Sequence, residues 1–210
     1  MRFLYLFFIL FLVIGCKKGP IFYEIKGLLL DEISKEPISE VSIKIYERIS
    51  KKGIITNNYT FVNEVVTDAK GEYYFKFERK NILDLKFEVN RQNYYDREII
   101  YGESKLTTNN VNNIDILMEA NAWFKLIIIN SYIASNEQLN LYKSNFKTNC
   151  DGCCTNGASS FFEQGDTTII CDVVGGETVK LIYGEVTVVS NFTKEILCKR
   201  FDTTSHIITY

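Results

Sequence analysis

Cysteine is the residue type in this chain whose spacing most invites chemistry. Cys150, Cys153, Cys154, Cys171 and Cys198 all lie in the second half, and three of them fall within the run Cys150-Asp151-Gly152-Cys153-Cys154. A C-x-x-C spacing lets two thiolates meet one metal ion or each other. A closed zinc site needs further ligands, and the sequence supplies no second C-x-x-C and a single histidine, His206. Structural disulfides are therefore the preferred chemistry, as in chains that reach an oxidising compartment. Cys171 shares strand parity with Ile169, and Cys198 with Ile196, so both face a core if these segments are strands. A Cys171–Cys198 bridge is the first expectation, with a local pair among Cys150, Cys153 and Cys154 and one cysteine left free. Closing that 28-residue loop would contribute about 3–4 kcal/mol in the chain-entropy picture.

Other reactive types are sparse or poorly placed. His206 as a general base would need a nucleophile and an orienting acid. The sequence has neither G-x-S-x-G nor H-E-x-x-H, so His206 reads as a strand-face histidine. The acidic residues are scattered, and no carboxylate pair for glycoside hydrolysis stands out. Gly175-Gly176 reads as a hairpin turn rather than a phosphate loop, because no helical pattern follows it. No catalytic, cofactor-binding or metal-binding residue is nominated, and no enzyme is expected. Tyr94-Tyr95 and Phe161-Phe162 are adjacent aromatic pairs. Neighbours on a strand face opposite sides, so at most one of each pair enters a core. The other is a candidate platform for a sugar or a protein partner, with packing under a loop as the plainer reading. Asp166-Thr167-Thr168 and Asp202-Thr203-Thr204 resemble the short Asp-Thr signal of a bacterial O-glycosylation system.

The N-terminus is read as an address. After Arg2, residues 3–14 run FLYLFFILFLVI, twelve apolar residues in a row. That is shorter than the roughly 20 needed to span a bilayer and fits the apolar core of a secretory signal. Val13-Ile14-Gly15-Cys16 resembles a bacterial lipobox: apolar residues, a small residue, then the cysteine that becomes lipidated. The resemblance implies a signal peptide over 1–15, a diacylglycerol thioether on Cys16, an acyl chain such as palmitate on its amine, and a short tether over 16–20. Several acyl chains give stable anchoring at about 0.8 kcal/mol per buried methylene. Lys17 and Lys18 follow the cysteine, and an acidic tag there is absent, which favours the outer membrane of a Gram-negative envelope with its facing side open.

These groups need a framework, and the pattern is all-β. The 210 residues suit one large or two small domains, and 46% hydrophobic content excludes a disordered chain. With 24 basic against 26 acidic residues there is no global charge to hold nucleic acid. Val41, Ile43 and Ile45 alternate with polar residues, as do Tyr73, Phe75 and Phe77, then Leu83, Leu85, Phe87 and Val89, then Ile114, Ile116 and Met118. Period two at roughly ten-residue spacing predicts a sandwich or barrel. Thr67-Asp68-Ala69-Lys70-Gly71 supplies the side-chain-to-backbone bond and positive φ of a tight turn. The order Ile25-x-Gly27-x-Leu29-x-Asp31, Glu36-Pro37-Ile38, Val41-x-Ile43-x-Ile45 and Thr67-Asp68-x-x-Gly71-x-Tyr73-x-Phe75-x-Phe77 resembles a carboxypeptidase-regulatory-like domain over 21–120. That resemblance implies a prealbumin-like Greek-key sandwich serving as an accessory module. Residues 48–60, polar and holding Lys51, Lys52, Asn57 and Asn58, read as an enlarged loop.

Glu119-Ala120-Asn121-Ala122 reads as a boundary, and Trp123–Ile129 starts afresh as a buried strand. Further strands are predicted at 138–142, 167–172, 178–189 with a bend or turn at Gly184, 194–200 and 205–210. Residues 121–210 are thus expected to form a second β-sandwich, the alternative being one sandwich continuous with the first. The function expected is a membrane-anchored, non-enzymatic binding or assembly module, whose partner beyond the membrane is an unspecified protein or glycan. A carbohydrate-binding or enzyme-accessory surface lipoprotein is the first alternative, and a thiol- or metal-handling protein built on 150–154 the second.

Overall fold

A computed structural model describes residues 19–51, 54–55, 57–131, 138–161, 166–185 and 191–210. The signal-like segment and Cys16 lie outside the described residues. Apart from one 3-10 turn at Glu103–Lys105, the regular structure among the described residues is strand. Among the described residues nine strands form the first half: β1 (Phe22–Asp31), β2 (Ser42–Lys51), β3 (Ile54–Ile55), β4 (Thr60–Val66), β5 (Glu72–Glu78), β6 (Ile82–Asn90), β7 (Arg97–Gly102), β8 (Asn112–Asn113) and β9 (Ile116–Met118). Seven form the second: β10 (Asn121–Ile129), β11 (Leu139–Ser144), β12 (Gly157–Phe161), β13 (Thr167–Val174), β14 (Thr178–Glu185), β15 (Phe192–Leu197) and β16 (Thr203–Thr209). The protein is all-β, and the halves are separate sandwiches: every extended ladder joins strands of the same half.

Both halves follow one plan. In the first, β1 lies mid-sheet, antiparallel to β5 and parallel to β8 and β9, and the facing sheet runs β4-β2-β6-β7. In the second, β10 lies mid-sheet, antiparallel to β13 and parallel to β16, and the facing sheet runs β12-β11-β14-β15. Apart from the short β3 and β8, the pairings repeat strand for strand. Each sheet keeps one apolar face, as in β5, where Tyr73, Phe75 and Phe77 are buried and their neighbours exposed. Phe75 meets Phe87 of the opposite sheet edge-on, centroids 6.0 Å apart, and in the second core Phe124 meets Phe146 in the same way at 5.5 Å.

The turns follow their residues. Asp68 Oδ1 accepts from the Lys70 and Glu72 N–H groups, and Gly71 takes φ +73°. Gly175-Gly176 is also a turn, with Gly176 at φ +90°, but it is no hairpin: β13 and β14 belong to opposite sheets, so the turn arches across the core. Gly184 neither bends nor turns the chain; it stays in β14 opposite Asn140. Residues 186–190 lie outside the described residues. The expected loop over 48–60 is partly strand, because Ser50 pairs with Ile55 and prolongs β2. Tyr59, just beyond, packs beneath Arg48 and Lys86.

Gly27 is required for a different reason. Between β8 and β9 the ladder to β1 is interrupted at Ile114-Asp115 without a change of register, and the Ile114 carbonyl oxygen lies 1.9 Å from where a Cβ on Gly27 would sit. Tyr73 donates its hydroxyl to that oxygen at 2.6 Å, and Asp115 Oδ1 accepts from the Leu28 N–H at 2.8 Å. This interruption is thus held from both sides. Gly27→Ala is expected to cost about 1–3 kcal/mol in urea unfolding of the first sandwich; a change within error of zero would show that the Ile114-Asp115 segment yields freely.

Candidate functional site: the junction of the two sandwiches

The chemistry-bearing residues gather where the sandwiches meet. Met118 ends β9 and Asn121 begins β10, so two residues join the halves. Arg200, in the turn between β15 and β16, reaches the turn after β1. Its Nη1 lies 3.2 Å from Asp31 Oδ2 and 2.6 Å from Ser34 Oγ, and its Nη2 donates to Glu36 Oε2 at 2.9 Å. Asp31 is 1% exposed, and its Oδ1 accepts from the Ile33 and Ser34 N–H groups. Burial pushes the Asp31 carboxyl up; these N–H donors and Arg200 outweigh it and hold the group below the usual carboxylate range. Phe201 sits beside the clamp, edge-on to Tyr94 with centroids 5.3 Å apart. Gly175 leaves room for Arg200, whose Cα is 2.7 Å from the position of an added Cβ.

A second contact lies alongside. The Lys147 ammonium pairs with Glu119 and sits 4.3 Å from the Tyr95 ring centroid. Tyr95 donates its hydroxyl to the Val173 carbonyl at 3.1 Å, and burial pushes that phenol well up. Glu177 is raised, by burial first and then by repulsion from Glu119 and Glu32. Tyr94 and Tyr95 are therefore half-buried cement between the sandwiches and not an exposed platform. Phe161 is half-buried on the second core, and Phe162 lies outside the described residues.

The cysteines pair differently from the expectation. The bridges are Cys150–Cys153, with Cα atoms 5.1 Å apart, and Cys154–Cys171, at 5.2 Å. Cys198 is the unpaired cysteine among the described residues, and burial raises its thiol to about 11. Inward parity is right for both Cys171 and Cys198, at 1% and 0% exposure. Parity does not name a partner, however: Cys171 is on β13 and Cys198 follows β15, an edge strand of the opposite sheet. The 150–154 loop instead lies along β13, where the Asp172 N–H donates to the Gly152 carbonyl at 2.8 Å. The bridge to Cys171 closes a loop of the length for which chain entropy gives about 3 kcal/mol. A thiolate metal site at 150–154 is incompatible with these two bridges.

His206 is on the inward side of β16 opposite Leu126, its ring 6.3 Å from that of Tyr183. Burial, then Lys194, lowers its pKa and favours the neutral ring. Of the two Asp-Thr-Thr pieces, Thr203 is exposed where β16 begins and Thr167 is half-buried where β13 begins. Two residues escaped the sequence reading. Arg200 gives no sequence signal, because its partners lie more than 160 positions away. Lys143 gives one: it follows Leu139 and Leu141 at the same parity and is 7% exposed. Burial lowers its pKa, and among the described residues no hydrogen bond or ion pair reaches its ammonium.

No family model matches the chain, and no curated protein matches it. Among solved structures it is similar to the Bacillus anthracis TIE protein at 15% identity and TM-score 0.40, over 90% of this chain and 34% of that one. It is similar to a streptococcal ancillary pilin at 10% identity and TM-score 0.36, over 92% of this chain and 63% of the pilin. A third likeness is 3-chlorocatechol 1,2-dioxygenase from Rhodococcus opacus 1CP, at 9% identity and TM-score 0.36, over 49% of this chain and 61% of the enzyme. The chain spans about a third of the first of these proteins and less than two thirds of the others. The strand ladders, and not these likenesses, define the class: an all-β protein of two tandem sandwiches.

Two predictions arise here. Arg200→Ala leaves Asp31 buried without its cation and is expected to cost about 2 kcal/mol in denaturant unfolding. Because the Asp31 pKa is lowered, its contribution is present above about pH 4 and lost as pH falls through the native value. The stability gap between wild type and Asp31→Asn should therefore close on acidification, and a pH-independent gap would refute the pairing. Lys143→Met should stabilise the second sandwich by about 1 kcal/mol, followed through Trp123 fluorescence. A lowered lysine pKa means the native state holds fewer protons between that value and the ordinary one near 10.4. Wild type should gain on the variant as pH rises through that window, and an unchanged difference would refute the reading.

Proposed function

We propose that this chain is a lipid-anchored, non-enzymatic module of the Gram-negative envelope, with Cys16 carrying the lipid and two locked sandwiches forming an arm for binding or assembly. The arrangement of β1 supports the reading. At its N-terminal end the Ile21 carbonyl accepts from the Arg79 N–H, and Cys16 lies only a few residues upstream. At its other end is Asp31, where Arg200 docks the second sandwich. An acyl chain on Cys16 and the second sandwich would thus sit at opposite ends of the first, separated by a ten-residue strand of about 33 Å. The clamp would hold the second sandwich outward where a floppy linker would let it collapse back. The first sandwich, in this reading, is a carboxypeptidase-regulatory-like accessory module, and the outer membrane is its location.

Metabolic labelling with palmitate tests the anchor. Label and membrane association are expected for the wild type and should both vanish in Cys16→Ser; a variant that stays membrane-bound would overturn the assignment. Protease treatment of intact and lysed cells then assigns the face. Digestion of intact cells places the arm at the surface, and protection until lysis places it in the periplasm.

A further inference from the structure

The outer face of the first sandwich carries an ordered array that the anchor does not use. Strand register sets two adjacent rows across β5, β1 and the chain at β8. Tyr74, Lys26 and Asn113 form one row, and Glu72, Leu28 and Asp115 the next. These residues line a cleft of about 590 Å³, within the size range of small-ligand sites. Tyr74 is 53% exposed and Leu28 37%, so the floor offers an aromatic ring and an aliphatic patch side by side. An ammonium, an amide and two carboxylates surround it. Neighbouring strands lie about 4.8 Å apart, so the polar ends of both rows come within reach of a single sugar ring.

The array is also held in place. Gly27 admits the Ile114 carbonyl, Tyr73 fastens it, and the Leu28 N–H fixes Asp115 by one oxygen, leaving the other to accept from a ligand. Asn113 and Asp115 are exposed on either side of the buried Ile114.

We infer that the cleft over Tyr74 and Leu28 is a binding site for a neutral glycan, with the Tyr74 ring as stacking platform and Lys26, Asn113, Asp115 and Glu72 bonding its hydroxyls. The chemistry selects this occupant over others. Glu72, Asp115 and nearby Asp68 outnumber Lys26, which disfavours phosphorylated and acidic ligands. A peptide adding as a strand would pair along the sheet edges at β5 or β8, whereas the floor over Leu28 and Lys26 belongs to β1, which is paired on both sides. Neutral polyols bring hydroxyls that both donate and accept, with an apolar ring face to stack. This site gives the carbohydrate-binding alternative a location away from Tyr94 and Phe161.

The test uses the purified full chain in detergent. An array of neutral and acidic glycans is probed first, and the bound neutral glycans are titrated by calorimetry. Binding to neutral members and not to acidic ones is expected. Tyr74→Ala should weaken it at least about tenfold, a loss of roughly 1.4 kcal/mol. Asn113→Ala should weaken it too, with thermal melting unchanged in both variants. Tyr46→Ala, on the outer face of the other sheet, should leave affinity unaltered. No binding to any neutral glycan, binding confined to acidic ones, or binding indifferent to Tyr74→Ala would overturn the assignment. None of these outcomes touches the palmitate test, so the site and the anchor fail separately.

Discussion

The first strand of each sandwich sits in the middle of its sheet, and almost everything else is a response to that placement. β1 and β10 each need a neighbour on both sides, and the neighbour that completes them is the last strand of the same half, laid parallel. A parallel pair cannot be closed by a tight turn, so the intervening chain builds the opposite sheet on its way back. Arches such as 67–71 and 174–177 follow from this, since the chain must cross between sheets. So does the pattern of burial, because Ala122, Phe124, Leu126 and Ile128 of β10 form the floor on which the facing sheet rests. Long-range pairing of this kind makes folding slow relative to helical proteins of equal size.

The junction obeys a different rule. Domains in one chain move relative to each other unless their interface is large or tightly bonded. Here the connection is two residues, and a buried carboxylate takes its cation from the other sandwich. Asp31 would be costly to bury alone, and the Ser34 and Ile33 N–H groups together with Arg200 make that burial tolerable. Tyr94, Tyr95 and Lys147 add packing around it. The acidic neighbours Glu32, Glu119 and Glu177 work against the contact, and burial followed by repulsion from Glu119 and Glu32 raises the Glu177 carboxyl.

Local physics was legible in the sequence, and partnership was not. Alternation located the strands at Val41–Ile45, Tyr73–Phe77 and Leu83–Val89, because side-chain parity is written into neighbouring residues. A register shift opposite Arg48-Ile49, however, buries Ile82 and Asp84 where parity had chosen Leu83. Asp68 and Gly71 announced their turn by chemistry that acts over four residues. The cysteines show where this stops. Parity placed Cys171 and Cys198 inside, but which sulfur meets which depends on strand order, and strand order is decided by pairings far apart in the chain. Gly175-Gly176 likewise signalled a turn without revealing that its flanking strands belong to opposite sheets. The row of Tyr74, Lys26 and Asn113 exists only once three strands are in register, so no single stretch of sequence contains it. Lys143 is the reverse case: its inward parity was visible, and only the custom of treating lysine as a surface residue hid it.

The parallel closing strands have a mechanical meaning. The N-terminal end of β10 and the C-terminal end of β16 lie at opposite ends of one ladder, which runs from Trp123 beside Thr203 to Ile129 beside Thr209. Traction applied between those ends slides the strands along each other and strains the whole row of hydrogen bonds together, where an antiparallel hairpin pulled from its open end would unzip bond by bond. β1 with β9 presents the same geometry. Under force the lifetime of such a fold is set by its unfolding barrier and not by its equilibrium stability. A chain of this design, stretched along its length, resists in its strongest direction twice in series.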